Sequence, residues 1–518
     1  MTRTDHIRLL QDESGPWDIC IIGGGATGLG TAVDAASRGY KTILFEQYDF
    51  AKGTSSRSTK LVHGGVRYLQ QGNIKLVMEA LRERGILKKN AAHLVKDQSF
   101  IVPNYKWWEG PYYGIGLKVY DWMSGSLGLG PSELLSKEEV LQHAPTLDAE
   151  GLRGGVLYHD GQFDDARLAI NLAQTAADEG AVIVNYCRVI GFRKHGSAIT
   201  GVMVGDELNN QVYDLPCKCV VNATGVFSDM VQQLDDPERQ PTITPSQGIH
   251  LVLPKDFLPG DTAIMVPHTD DGRVLFAVPW HNRIIVGTTD TLIDHITPEP
   301  VPLQEEIDFV LKHIKRYLRT SPRKEDIKSI FAGLRPLVKS SAKKTAALSR
   351  DHAIIVSGSG LISVLGGKWT TYRKMAEDVV NICMVRGGLP QQECRTKELS
   401  LHGNTAEEFT DEKYYYGSDR MLVQELAKAN QAYSQVLHND LPYVVADVIW
   451  AVRHEYCMTV EDALSRRTRS LLLDARAAME AAPLVARWMA VELKKDEEWE
   501  ANQIRLFRQV AEKYLPKD

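Results

Sequence analysis

The sequence predicts an α/β protein in three parts: a doubly wound, largely parallel sheet, an α+β domain inserted into it, and a helical domain at the C-terminal end. Three observations carry this prediction. Residues 18–47, DICIIGGGATGLGTAVDAASRGYKTILFEQ, read as strand, glycine turn, helix and strand. Between about 240 and 340 short strands at hairpin spacing take over, in GIHLVLP, VLFAVPW and RIIVGTTD. Beyond about 400 the pattern is almost entirely helical, and no glycine follows Gly417.

Taken in order, Ile19 to Ile22 form a continuous apolar run, as a strand buried on both faces requires. Ala32, Val33, Ala35 and Ala36 let the next helix pack closely on the sheet, Gly39 ends it, and Thr42 to Phe45 return as a strand. Residues 73–92 form an amphipathic helix with Leu76, Val77, Ala80, Leu81 and Leu87 on one face. Residues 105–128 are rich in aromatics, and a polar helix follows near 136–143. VLYHDGQFDDARLAINLAQTAADEGAVIVNY then gives strand, helix and strand, and CVVNATG another strand running into glycine. After the antiparallel region, AIIVSGSGLISVLGGKWTTYRKMAEDVV resumes the strand–glycine–helix style and rejoins the first domain. The boundaries so read are 1–104, 156–240 and 350–395 for the three parts of the nucleotide domain. A cap segment takes 105–155, the substrate domain 241–349, and the helical domain 400–518.

The totals bound the function. A chain of 518 residues with 43% apolar and 24% charged residues is globular and long enough for two or three domains. A net charge of −6 gives no reason to expect nucleic acid. Seven scattered cysteines suit reduced thiols rather than a disulfide framework. Cys217 and Cys219 share a strand face but have no partners at ligand spacing, so no metal is expected. The first residues lack the apolar core of a secretory signal. The longest apolar run, YVVADVIWAV, is interrupted by Asp447, so any membrane contact is expected to be peripheral.

Gly23, Gly25 and Gly28 give the G-x-G-x-x-G spacing between a good strand and a good helix. The first allows a tight turn, the second lets backbone N–H groups approach a pyrophosphate, and the third lets the helix lie close to the sheet. Glu46 ends the second strand where a ribose-binding acid is expected. A dinucleotide is therefore predicted. FAD is favoured over NAD, because further glycine-rich strand ends at 222–225 and 366–371 can close over a longer cofactor.

GGGATG, SSRSTKLVHGGVRYL, DDARL, NATG, GTTD, AGLRPL and GGKWTTYRK, in that order between about residues 17 and 382, resemble the FAD-dependent glycerol-3-phosphate dehydrogenases. The RRTR-containing tail resembles that family's C-terminal domain. The resemblance implies a glutathione-reductase-type FAD-binding Rossmann domain with an inserted α+β substrate domain and a helical cap. It implies oxidation of sn-glycerol 3-phosphate to dihydroxyacetone phosphate, with electrons passing to a membrane quinone. It further implies a cytoplasmic protein held peripherally on the inner face of the cell membrane, with a homodimer among the implied states. The family's oxidase branch uses oxygen instead and usually carries an inserted segment not found here. Around the flavin the resemblance places Gly23, Gly25, Gly28, Glu46, Thr54, Ser55, Ser56, Ser58, Lys60, Leu61, Val189, Ala223, Thr224, Gly225, Gly367, Lys368 and Thr370. Around the substrate it places Arg67, Tyr68, Thr289, Arg335 and Lys368.

The chemistry selects among these residues. Hydride loss from a secondary alcohol needs a base for the hydroxyl proton, and a phosphate dianion asks for arginine forks. Arg335, in GLRPL, sits at the end of an apolar strand, where a charge demands a partner. His63 and His250 compete as base, since histidine titrates near neutrality. His63 precedes a glycine pair that lets backbone pass close to a flavin ring; His250 alternates with Ile249 and Leu251 in a strand. The expectation is His63 as base with His250 polarising the hydroxyl, and the reverse order stays open. Asp164 and Asp165 are read as caps of the following helix, and RRTR at 466–469 as salt-bridged to a neighbouring helix. Trp107, Trp108, Tyr112, Tyr113, Tyr120 and Trp122, with Lys106 and Lys118, form either a membrane face or a substrate-domain core. Two rival readings remain: a flavoprotein acting on a 2-hydroxy acid or amine, and a flavin-binding protein without turnover.

Overall fold

The computed structural model describes residues 2–10, 15–65, 73–267, 269–270, 272–339, 352–407, 411 and 413–517. Arg67 and Tyr68 lie outside the described residues.

The first sheet is built on the strand Trp17–Ile22, which pairs in parallel with Thr42–Phe45 on one side and Val212–Asn222 on the other. Val182–Val184 extends it in parallel at one end and Ile362–Gly366 at the other, and His352–Val356 closes the latter edge antiparallel. The helix Ala26–Ser37 packs between the helices Asp165–Asp178 and Tyr372–Arg386, so segments far apart in sequence share one core. Gly30 makes the second of these contacts possible, because a Cβ there would lie 2.7 Å from the Tyr372 ring. A hairpin of Cys187–His195 and Ala198–Asp206 hangs on the early half of Val212–Asn222.

The second sheet has ten strands and is antiparallel apart from the pairing of Ala263–Val266 with Lys96–Asn104. Its spine is Ile243–Pro254, flanked by Arg283–Gly287 and Ser329–Val338. Here the boundaries read at 104 and 156 are corrected. Lys96–Asn104 pairs along its whole length with Gly154–Gln162, and both belong to this sheet rather than to the nucleotide domain. Leu61–Val62 joins it too, through Gln162 and Gly161. The pairing is held by cross-strand aromatic contact: Phe100 stacks on Tyr158 at 5.1 Å, and Phe276 meets Phe100 edge-on at 6.0 Å.

The C-terminal region is built on the helices Arg420–Ala429, Val445–His454, Ala475–Leu493 and Glu497–Ala511, with the short helical pieces Val460–Asp462, Ala463–Arg467 and Ser470–Leu473 between the second and third. Its alanine-rich faces allow close helix approach, and its apolar side chains run without a break into the core of the first sheet. Among the described residues no helix is long and apolar enough to cross a membrane.

Candidate active site

A cleft of about 450 Å³ runs from the glycine turn to the Ile243–Pro254 sheet. That volume lies within the range of cofactor and ligand sites. At one end the chain turns sharply at Gly23, whose φ is +109° and whose N–H donates to the Phe45 carbonyl at 2.8 Å. A Cβ on Gly23 would sit 2.7 Å from the Ala223 carbonyl oxygen, and one on Gly28 would collide with the Gly23 carbonyl. The Glu46 carboxylate ties this turn down, accepting from the Gly24 N–H at 2.6 Å and the Tyr48 N–H at 2.9 Å. Burial raises its pKa, and the two N–H donors partly offset that shift. Ser55 Oγ accepts from the Ala26 N–H at 2.9 Å, which brings the following loop against the helix N-terminus.

Most of the expected cofactor residues face this cleft: Gly23, Gly25, Glu46, Thr54, Ser55, Ser58, Leu61, Val189, Ala223, Thr224, Gly225, Gly367, Lys368 and Thr370. Gly28 lies behind the turn, where its missing side chain matters for packing. Ser56 and Lys60 do not line the cleft. Lys60 is fully buried, its ammonium donating to Asp165 Oδ2 at 2.7 Å and to the Ser56 and Ser58 carbonyls at 3.0 and 3.1 Å. Burial pulls it down to about 8, against the opposing pull of Asp165. Its role is inside the loop, because a buried ammonium needs that carboxylate more than a ligand.

At the other end His63, His250, Arg335 and Lys368 share the cleft. His63 is half-buried, and its backbone N–H donates to Thr370 Oγ1 at 3.3 Å. The next residue, Gly64, donates to the Tyr120 hydroxyl at 2.8 Å, which in turn donates to Asp160 at 2.7 Å. His250 is buried between Gly287, where a Cβ would strike its ring, and Phe331, on which it stacks at 4.8 Å. Its Nε2 meets Thr59 Oγ1 at 2.9 Å, while its Nδ1 is buried without a hydrogen-bond partner among the described residues. Burial, with the nearby Lys60 and Arg335 charges, pushes its pKa well below the usual value, so the ring is neutral.

Arg335 is aimed by its surroundings. Nη2 donates to the Thr289 carbonyl at 2.9 Å and to Thr288 Oγ1 at 3.1 Å; Nη1 lies 3.4 Å from Asp290 Oδ1 and from the Gln247 carbonyl. Gly248 leaves space for the guanidinium, which a Cβ there would strike. The side chain of Thr289 is corrected as a substrate contact: its hydroxyl donates to Glu306 at 2.7 Å and accepts from the Ile249 N–H at 3.0 Å, away from the cleft. Just past the strand Arg283–Gly287, the Thr288 hydroxyl meets Arg335 while the Thr289 hydroxyl turns to Glu306.

Three contributors escaped the sequence reading. Thr59 holds His250, the Trp369 indole donates to the Ser55 carbonyl at 2.9 Å, and Gly248 makes room for Arg335. Thr59 and Trp369 sit inside quoted motifs, so they were in view; only the fold shows which way they point. Asp164 caps its helix as read, accepting from the Ala166 and Arg167 N–H groups. Asp165 accepts from the Ala166 N–H at 2.8 Å and also reaches back to the Ser58–Lys60 loop. The RRTR arginines do not bridge to a neighbouring helix alone; their main partners are Asp49 and Asp165 of the nucleotide domain.

Known proteins share this architecture. The family model for FAD dependent oxidoreductases matches residues 18–373, and that for the C-terminal domain of alpha-glycerophosphate oxidase matches 361–500. The mitochondrial glycerol-3-phosphate dehydrogenase of Homo sapiens is 39% identical, over 98% of this chain and 74% of that protein. That of Arabidopsis thaliana is 38% identical, over 97% and 87%. The solved glycerol-3-phosphate dehydrogenase of Bacillus halodurans, complexed with FAD, superposes with a TM-score of 0.80 at 29% identity, covering 99% of this chain and 98% of that one. The FAD-bound L-alpha-glycerophosphate oxidase of Mycoplasma pneumoniae shares the fold, with a TM-score of 0.57 at 19% identity over 71% and 95%.

Proposed function

The chain belongs to the family of FAD-dependent glycerol-3-phosphate dehydrogenases, and from that membership we propose how its residues divide the oxidation of sn-glycerol 3-phosphate to dihydroxyacetone phosphate. The observation that carries this reading is one continuous cleft, with a pyrophosphate cradle at one end and Arg335, His63 and His250 at the other.

The residues present fit FAD. The crowded turn at Gly23 and Gly28 leaves backbone where only small residues fit, and Glu46, Thr54, Ser55, Ala223 and Gly225 line the space beside it. When bound, FAD supplies the hydride acceptor for the substrate's C2. Gly28→Ala should purify with little flavin, because its Cβ displaces the Gly23 carbonyl and opens the turn. The flavin-to-protein absorbance ratio measures this, and a stoichiometric ratio would contradict it.

Arg335, which shares the cleft with Lys368, binds the phosphate, because a dianion is best met by a planar fork held in place. Thr288, Asp290 and the Gln247 carbonyl hold that fork before substrate arrives. His63 takes the C2 hydroxyl proton. His250 resists protonation and is better suited to hydrogen-bond the substrate oxygen than to take its proton.

Electrons leave for a membrane quinone. What supports this is the helix Glu109–Ser124, which buries Tyr113, Leu117 and Tyr120 and turns the other side out. Trp107 is 78%, Ile115 69% and Trp122 82% exposed, with Tyr112, Val119 and Lys118 on the same outward surface. Aromatic and aliphatic side chains beside lysines suit the headgroup level of a bilayer. The helix thus has a core on one side, and its exposed side supports the membrane-face reading. The working location is the inner face of the cell membrane.

Holoenzyme should co-sediment with vesicles containing anionic lipid, and a Trp107→Ser/Trp122→Ser double variant should largely stay in the supernatant with dye-linked activity intact. Equal partitioning of the two would reject this face. With glycerol 3-phosphate as donor, a soluble quinone analogue should be reduced faster than oxygen is consumed; the opposite order would favour an oxidase.

A further inference from the structure

We propose that the buried Arg466–Arg469 turn of the helical domain is a positioning device for the cleft: Arg469 acts through Asp165 on the Ser58–Lys60 loop, and Arg466 and Arg467 act through Asp49 on the loop that follows Glu46. The proposal rests on the reading of the cleft as the flavin and substrate site.

The turn is costly to build. It follows a π-helical stretch, Ala463–Arg467, and Arg469 adopts a φ of +61°. Its three arginines are each at most 2% exposed. Buried guanidinium groups need partners with good geometry. A domain that merely covered them would supply those partners from its own helices. Arg466 does use Glu461 and Asp462 nearby, but it also binds Asp49, some four hundred residues earlier in the chain. Arg467 grips the same carboxylate with both terminal nitrogens, at 2.5 and 2.8 Å. Asp49 lies three residues after Glu46, and the Ala51 N–H returns to the Gly24 carbonyl at 2.9 Å. The two arginines therefore fix the loop that closes back on the glycine turn.

The second clasp reaches nearer to the chemistry. Arg469 Nη2 donates to Asp165 Oδ1 at 2.9 Å and to the Ser56 carbonyl at 3.0 Å. The other oxygen of Asp165 accepts from the Ser58 N–H at 2.9 Å, the Ser58 hydroxyl at 2.7 Å and the Lys60 ammonium at 2.7 Å. One carboxylate thus has the helical domain on one oxygen and the cleft loop on the other. Lys60 itself has a φ of +64°, a conformation that a non-glycine residue keeps only when its surroundings over-determine it. From this loop the effect passes to the reaction site by direct contact. Thr59 holds His250 Nε2, and the Lys60 ammonium lies 4.8 Å from the Phe331 ring on which His250 stacks. Leu61 and Val62 then lead into His63. A structural junction alone would not need its carboxylate shared with the backbone that carries these groups.

Arg469→Lys keeps the charge but loses the fork, and Ser58→Ala weakens the same link from the cleft side, removing one of the three donors to Asp165 Oδ2 without touching the helical domain. Arg453→Ala, whose partner is Glu492 on the surface of the helical domain, serves as the control. Four quantities are measured: Tm, the dissociation constant of FAD from deflavinated protein, the rate of flavin reduction at saturating glycerol 3-phosphate, and its pH profile. Arg469→Lys is expected to weaken FAD binding about fivefold, slow reduction about tenfold and shift the pH profile. Ser58→Ala is expected to reproduce much of the slowing, and the double variant to be no worse than the poorer single one, because both cut one link. The control should match the wild type.

A fall in Tm with FAD affinity, reduction rate and pH profile unchanged would overturn the proposal, and so would strictly additive effects in the double variant. If Arg469→Lys does not fold, Ser58→Ala decides alone: slowed reduction with a shifted pH profile supports the link, and wild-type values overturn it. Wild-type enzyme that glycerol 3-phosphate fails to reduce would instead sink the assignment of the cleft, and FAD affinity would still report on the clasp.

Discussion

Arg335→Ala raises KM for glycerol 3-phosphate by roughly two orders of magnitude or more, while FAD stays bound. The size follows from the type of contact: losing one side of a desolvated charge pair costs about 2–5 kcal/mol, and about 1.4 kcal/mol is tenfold. The guanidinium already has four acceptors around it, so it is oriented before substrate binds and little of that energy is spent on ordering the side chain. Arg335→Lys should recover only part of the loss, because an ammonium cannot bind two phosphate oxygens in one plane. Steady-state kinetics with phosphate-bearing and phosphate-free polyols separate the cases. If Arg335→Ala left KM unchanged, the phosphate would have to bind elsewhere in the cleft.

His63→Ala slows flavin reduction by about 10²–10⁴, the usual worth of a positioned general base, with a smaller change in substrate affinity. His250→Ala slows it less. The proposed role of the buried His250 ring is a hydrogen bond rather than a proton sink, and its loss also leaves a gap beside Phe331. Stopped-flow reduction across pH distinguishes the two roles: the acid limb of the profile should vanish in His63→Ala and persist in His250→Ala. The reverse pattern would exchange the two histidines.

The parts legible in the sequence were those set by local rules. The glycine turn, the apolar strands and the capped helix after Asp164 each announce themselves within a few residues, and their order carried the family resemblance. What stayed hidden depends on contacts between distant segments. Lys60 reads as a cation offered to a ligand until the fold brings Asp165 beside it. Thr289 reads as a cleft residue until the fold brings Glu306 to claim its hydroxyl. Lys96–Asn104 lies in the substrate sheet because its partner, Gly154–Gln162, returns after two intervening helices and a strand. RRTR reads as salt-bridged to a neighbouring helix, because nothing near it in sequence shows that Asp49 and Asp165 are waiting on the nucleotide domain. His250 could be named but not ranked against His63, since its burial and neighbouring charges come only with the fold.

The most direct measurement is anaerobic reduction of the purified holoenzyme, followed by the absorbance of its oxidised flavin. Stoichiometric glycerol 3-phosphate should bleach that absorbance rapidly and yield dihydroxyacetone phosphate, while lactate, glycine and proline at the same concentration leave it unchanged. No bleaching by glycerol 3-phosphate, or equal bleaching by a hydroxy or amino acid, would contradict the assignment of Arg335 and its neighbours to a phosphate-bearing alcohol.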